Sequence, residues 1–139
     1  MEDAIVRHIS VLGALFSIAL GTGALAIGEP VRVNPRDLAL QPHRLVGSNV
    51  EVRLRCASMG ASHYRCAAPG LRLDLTKLEN DQARGRLERL CTGPQHAGRR
   101  SCEFLLRFIP DGGRRERDGL THVRARGDTA EIISRGVGD

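Results

Sequence analysis

The chain has 139 residues and a formal net charge of +5, which gives room for one domain and one modest core. Phe16, Tyr64, Phe104 and Phe108 are its only aromatic residues, so a core rich in aromatics is excluded and Val, Leu, Ile and Ala must fill it. The basic residues are almost all arginine, with Lys77 the single lysine, and they are interleaved with Asp and Glu, which is the pattern of a solvated surface and excludes a basic tail.

Residues 1–8 are polar and include Glu2, Asp3, Arg7 and His8. Residues 9–27 carry no charge, and roughly 20 apolar residues suffice to span a bilayer as a helix. Ala24-Leu25-Ala26 has the small-x-small form of a signal-peptidase site. Residues 1–26 are therefore expected to be a cleaved export signal. The two acids and lone arginine before the run count against that reading, and its length also suits a retained membrane anchor or a buried helix. Either of the first two places the remaining chain outside the cytoplasm, in a periplasmic or secreted setting.

Residues 27–44 read as an extended lead-in, because Pro30, Pro35 and Pro42 each turn the preceding residue away from helix. Within it, Asn34 can cap one short helical turn that starts at Pro35 and runs through Leu38 and Leu40. The domain proper is expected over 45–135. Its first strand is the clearest: Val50, Val52, Leu54 and Cys56 alternate with Glu51, Arg53 and Arg55. A small-residue turn at 58–62 leads to a second strand over 63–67, and Pro69-Gly70 leads to a third, in which Leu71, Leu73 and Leu75 alternate with Arg72, Asp74 and Thr76.

The period then changes. Ala83, Leu87 and Leu90 follow helical spacing behind an Asn80-Asp81 cap, and Thr92-Gly93-Pro94 stops the helix. Gly85 within it costs about 1 kcal/mol, so the helix must lean on packing. Alternation returns with Cys102, Phe104, Leu106 and Phe108, while Leu105 and Ile109 on the other face predict a strand covered on both sides. Residues 110–119 are expected to be a loop. The last strand is expected over 121–126, continuing over 130–134 after a kink at Gly127-Asp128, with a loose tail at 136–139.

The order β-β-β-α-β-β over about residues 31–135 resembles the OB-fold, a five-stranded Greek-key barrel. Leu45-Val46-Gly47-Ser48-Asn49-Val50-Glu51-Val52, which would open the barrel, and Arg124-Ala125-Arg126-Gly127-Asp128-Thr129-Ala130-Glu131-Ile132, which would close it, are similar to segments of small exported bacterial OB-fold proteins. The resemblance implies a mainly β domain with one short helix between strands three and four, preceded here by an N-terminal hydrophobic helix. It also implies a binding fold, and it brings no catalytic residues.

Four cysteines, Cys56, Cys66, Cys91 and Cys102, lie in the domain. No pair has the short gap of a zinc knuckle, so no metal is expected. An even count in a small exported domain reads as two disulfides. Three pairings are open; Cys56 and Cys66 flank one turn and Cys91 and Cys102 one loop, which favours 56–66 with 91–102. Four buried free thiols are the alternative in a cytosolic chain.

Two basic stretches form a candidate rim for an anionic ligand: Arg99 and Arg100 before the fourth strand, and Arg114, Arg115 and Arg117 in the loop before the last. In an OB-fold the second of these borders the usual ligand face. Tyr64 is the one candidate for stacking on a base or sugar, and so few aromatics, together with export, argue against nucleic acid. The histidines His8, His43, His63, His96 and His122 are scattered without ligand spacing. Arg126-Gly127-Asp128 spells an adhesion tripeptide, yet Gly127 is better explained as a bulge or turn. No residue constellation points to an enzyme or a cofactor. The expected function is a disulfide-stabilised binding module for an anionic ligand, or alternatively an envelope-anchored domain that docks on another protein.

Overall fold

The computed structural model describes residues 28–96 and 98–135. The expected export signal or hydrophobic helix at 1–26 and the tail at 136–139 lie outside the described residues. In chain order the elements are β1 (Val31–Arg32), α1 (Pro35–Leu40), β2 (Val50–Ser58), β3 (Tyr64–Ala68), β4 (Leu71–Leu75), β5 (Lys77–Glu79), α2 (Asp81–Leu90), β6 (Glu103–Phe108), β7 (Pro110–Arg117), β8 (Leu120–Ala125) and β9 (Thr129–Arg135), with short 3₁₀ turns between some of them.

β2 is the central strand. Its alternation sends Val50, Val52, Leu54 and Cys56 inward, none more than 1% exposed. One edge pairs antiparallel with β6, from Val50 opposite Phe108 to Arg55 opposite Glu103. The other edge pairs first with β1, in parallel at Val50 and Glu51, and then with β3, antiparallel from Arg55 to Ser58. The expected lead-in thus supplies a strand and a helix to the domain.

Both helices begin as their sequences dictate. The Asn34 side chain accepts a hydrogen bond from the Asp37 amide at 2.8 Å, with Pro35 in the first turn. The Asn80 side chain accepts from the Ala83 amide at 3.2 Å and donates to the Ile132 carbonyl at 2.9 Å, so the cap of α2 also ties it to β9. The two helices sit at opposite ends of β2. α1 follows the Val33 amide bond to the Glu51 carbonyl, and the end of α2 is tied to Ser58 through the Ser58 amide bond to the Cys91 carbonyl. Leu38 of α1 and Leu87 of α2 are fully buried in one core with Leu54, Leu71, Leu73, Leu75, Leu106, Phe104 and Ile132. Burying each such leucine contributes about 2 kcal/mol.

Among the described residues nine strands form one sheet where five were expected, in the order β5-β9-β6-β2-β3-β4-β8-β7 with β1 on the side of β2. The hydrogen-bonded path does not close; β5 and β7 are its ends. Part of the difference comes from bends. Thr76 alone separates β4 from β5, and a turn over Arg126–Asp128 separates β8 from β9. The two bends are bonded to each other, since the Thr76 amide donates to the Asp128 carbonyl at 2.8 Å. On either side of them β4 runs parallel to β8, and β5 runs parallel to β9.

The other difference is β7. Residues 110–117, expected as loop, pair antiparallel with β8: Arg114 lies opposite Val123, Arg115 opposite His122 and Arg117 opposite Leu120. Asp118 and Gly119, at φ of 54° and 76°, make the two-residue turn between them. Positive φ at both positions suits the right-handed twist of a hairpin. β7 carries no apolar alternation because it is a solvated edge strand, held by backbone pairing to β8.

The four cysteines form two disulfides, Cys56–Cys66 and Cys91–Cys102. The first joins direct cross-strand partners of β2 and β3, and the second ties the end of α2 to the start of β6. Disulfides of this kind fit an oxidising compartment. No helix among the described residues is long and apolar enough to cross a membrane.

Candidate anion-binding site

Strand periodicity decides which side chains share the outer face of the sheet. On β8, Val123 and Ala125 are buried, so His122 and Arg124 face outward. Register carries this face across the neighbouring strands. Arg72 of β4 lies opposite His122 in the parallel pairing, and Arg115 of β7 lies opposite His122 on the other edge. Arg72, His122 and Arg115 therefore form one row over three adjacent strands, spanning about 10 Å at the usual strand spacing. The row continues to Ala67 of β3, the partner of Arg72, while Arg65 lies opposite Asp74.

The acids of this face are already engaged. Asp74 accepts from Arg72 Nε at 3.0 Å and faces His63 Nε2 at 3.2 Å, and Arg65 Nε stands 3.7 Å away. Burial pushes the Asp74 carboxyl up, but the hydrogen bonds from Arg72 and His63 outweigh it and hold the group below its ordinary value. The Arg124 guanidinium lies 3.4 Å from Asp111 and 3.8 Å from Asp128. Among the described residues Arg117 reaches Asp118, at 4.0 Å. Arg115 and His122 have no ionic partner among the described residues. Arg115, Arg117, His122 and Arg124, with Asp74, Val123 and Asp128, line an open groove of about 390 Å³.

The turn before β3 sets His63 in place. Gly60, Ala61 and Ser62 have φ of 89°, 50° and 59°, a left-handed run that two of the three residues adopt at a cost. The Met59 amide donates to the His63 carbonyl at 2.8 Å and the His63 amide to the Gly60 carbonyl at 3.0 Å, which closes the turn beside Asp74.

The expected site residues divide. Arg115 and Arg117 line the groove, from a strand where a loop was expected. Arg114 lies in the same strand, opposite the buried Val123. Arg99 and Arg100 are exposed at the 3₁₀ turn before β6, and β2, β3, β4 and β8 lie between that turn and β7, so the two basic stretches do not form one rim. Tyr64 is no stacking platform: it is 4% exposed, within the core, and its hydroxyl donates to Glu88 at 2.6 Å. Burial, and then that hydrogen bond to a carboxylate, push its hydroxyl up to about 12.

Arg65, Arg72, Arg124, His63 and His122 were not expected on this face. The alternation of β4 and β8 marks the latter four as outward or adjacent to the turn, but only the parallel β4–β8 pairing brings them together. No group of three or more His, Cys, Asp or Glu among the described residues could hold a metal ion.

No family model matches the sequence, and no curated protein sequence matches it. Among solved structures, a chain described as an aspartyl-tRNA synthetase from Leishmania major Friedlin is similar at a TM-score of 0.39 and 10% identity, over 86% of this chain and 24% of that one. The chain spans about a quarter of that neighbour's length, and a likeness this distant carries no argument.

Proposed function

We propose that the protein is a non-enzymatic binding module, stabilised by its two disulfides for an oxidising compartment outside the cytoplasm. It holds an anionic ligand on the outer face of β4, β8 and β7. The observation that carries this reading is the row Arg72–His122–Arg115, in which two of three side chains lack an ionic partner among the described residues beside an open groove. A cation left without a partner on a rigid strand is pre-organised for an incoming oxyanion.

The resemblance to exported OB-fold proteins has support of the same kind. With β4/β5 and β8/β9 each taken as one bent strand, the neighbours run β2, β3, β4/β5, β8/β9, β6 and back to β2. That is the strand order of a five-stranded OB barrel with α2 between its third and fourth strands. In that fold the face of β3 and β4 and the β7–β8 hairpin border the ligand.

Titration with inositol hexasulfate tests the reading. Binding should weaken steeply between low and high salt, as contacts between charged groups do. Arg114→Ala, Arg115→Ala and Arg117→Ala together should lower affinity at least tenfold, about 1.4 kcal/mol. Unchanged binding in the triple variant would remove the groove from consideration.

A further inference from the structure

His122 occupies an unusual position for a histidine on a basic face. It sits in register between two arginines, Arg72 on β4 and Arg115 on β7. Arg124 follows two residues later on its own strand and Arg117 lies along the hairpin, both lining the same groove. The acids nearby are Asp74, held by Arg72 and His63, and Asp128, which faces Arg124. Glu116 pairs with Thr121 in the register, on the opposite face of β7. The His122 side chain makes no hydrogen bond or ion pair to a described residue, and the residue is half-buried. The two acids that line the groove with it, Asp74 and Asp128, are each engaged by another cation.

We infer that anion binding in this groove is coupled to proton uptake by His122, so that the site fills with a soluble polyanion as pH falls. The inference rests on the reading of the groove as an anion site. An oxyanion lying across the row favours the imidazolium, which then donates to the ligand. Coupling is reciprocal, so a proton that the anion favours must also favour the anion. Histidine changes charge between about pH 5 and 8, which places the response in that window. The occupant is a soluble polyanion, because among the described residues that line the groove Val123 is the one apolar side chain, and it is buried.

The experiment uses the intact disulfide-bonded protein and inositol hexasulfate, whose charge is constant from about pH 5 to 8, so that any pH dependence belongs to the protein. Wild type should bind about tenfold more tightly at pH 5.5 than at pH 7.5, with uptake of about half a proton at the midpoint. His122→Gln should lose the gain in affinity between pH 7.5 and pH 5.5, while His63→Gln should keep it. A gain that survives His122→Gln overturns the inference, as does pH-independent binding that still needs Arg115 and Arg117. Absence of binding at either pH overturns the groove itself. Retention on phosphatidylglycerol vesicles at concentrations where inositol hexasulfate fails to compete would overturn the soluble ligand.

Discussion

Arg107 and Glu51 face each other across β6 and β2, and the Arg107 Nε and Nη2 both donate to one Glu51 oxygen, at 3.0 and 2.6 Å. Arg32 of β1 approaches the other oxygen at 3.4 Å. Glu51 is only 8% exposed, the one buried acid among the described residues. The hydrogen bond from Arg107 holds its carboxyl below the ordinary value of 4.5, against the opposing effect of burial. This pair pins the start of the central strand.

Removing Arg107 leaves a buried carboxylate with only the weaker Arg32 contact. Arg107→Ala should destabilise the domain by about 2–3 kcal/mol, less than the full cost of breaking a buried pair because Arg107 keeps partial contact with water. Urea unfolding at pH 7 measures this. A cost below about 0.5 kcal/mol would place the pair among ordinary surface ion pairs.

The same pair predicts an acid limb. Because the folded-state value of Glu51 lies below its unfolded value, its contribution is complete above about pH 5 and is lost as pH falls through the folded value. Asp74 is shifted in the same direction and adds to the limb. Glu51→Gln should flatten the fall in stability between about pH 5 and pH 2.5, as followed by thermal melts. An unchanged slope would assign the acid sensitivity to other carboxylates.

Each disulfide closes a loop of about ten residues, with sequence separations of 10 and 11. Removing either should cost about 2–3 kcal/mol. The local consequences should differ. Cys56 and Cys66 are already held by the β2–β3 ladder, whereas Cys91 and Cys102 join the end of α2 to the start of β6 with no strand pairing between them. Replacing Cys91 and Cys102 with Ala should therefore speed amide exchange over residues 92–101 more than replacing the other pair speeds it over residues 58–63. Equal effects would show that the ladder does not share the constraint.

Gly127 has φ of 68° at the bend between β8 and β9. A Cβ there would meet only Thr129 Cγ2, at 3.8 Å, so space is not the obstacle. Gly127→Ala should still cost about 1 kcal/mol through the backbone alone. Chemical denaturation tests this, and a neutral result would mean that the bend relaxes without loss.

Much of this architecture is legible in the residues. The inward alternation of Val50, Val52, Leu54 and Cys56 and of Leu71, Leu73 and Leu75 marks two strands, and the Asn80 cap with Ala83 and Leu87 marks the helix. The turn between Cys56 and Cys66 and the loop between Cys91 and Cys102 favour the pairing observed. β7 escaped because Gly112, Gly113 and its charges mimic a loop, although Asp118-Gly119 is a hairpin signal. Tyr64 shares the face of Cys66 by simple alternation, which marks it as a core residue. The groove could not be read in advance, since a parallel pairing of β4 with β8 brings together residues fifty positions apart, and no local pattern encodes that register.

Whether an anion sits over β4, β8 and β7 is read from a map of backbone amide chemical shifts as inositol hexasulfate is added to the intact protein. Shifts should centre on Arg72, His122, Arg115 and Arg117, with the outer residues of β5, β9 and the 3₁₀ turn at Arg100 unmoved. Shifts centred on Arg99 and Arg100, or spread evenly over the surface, would contradict that placement.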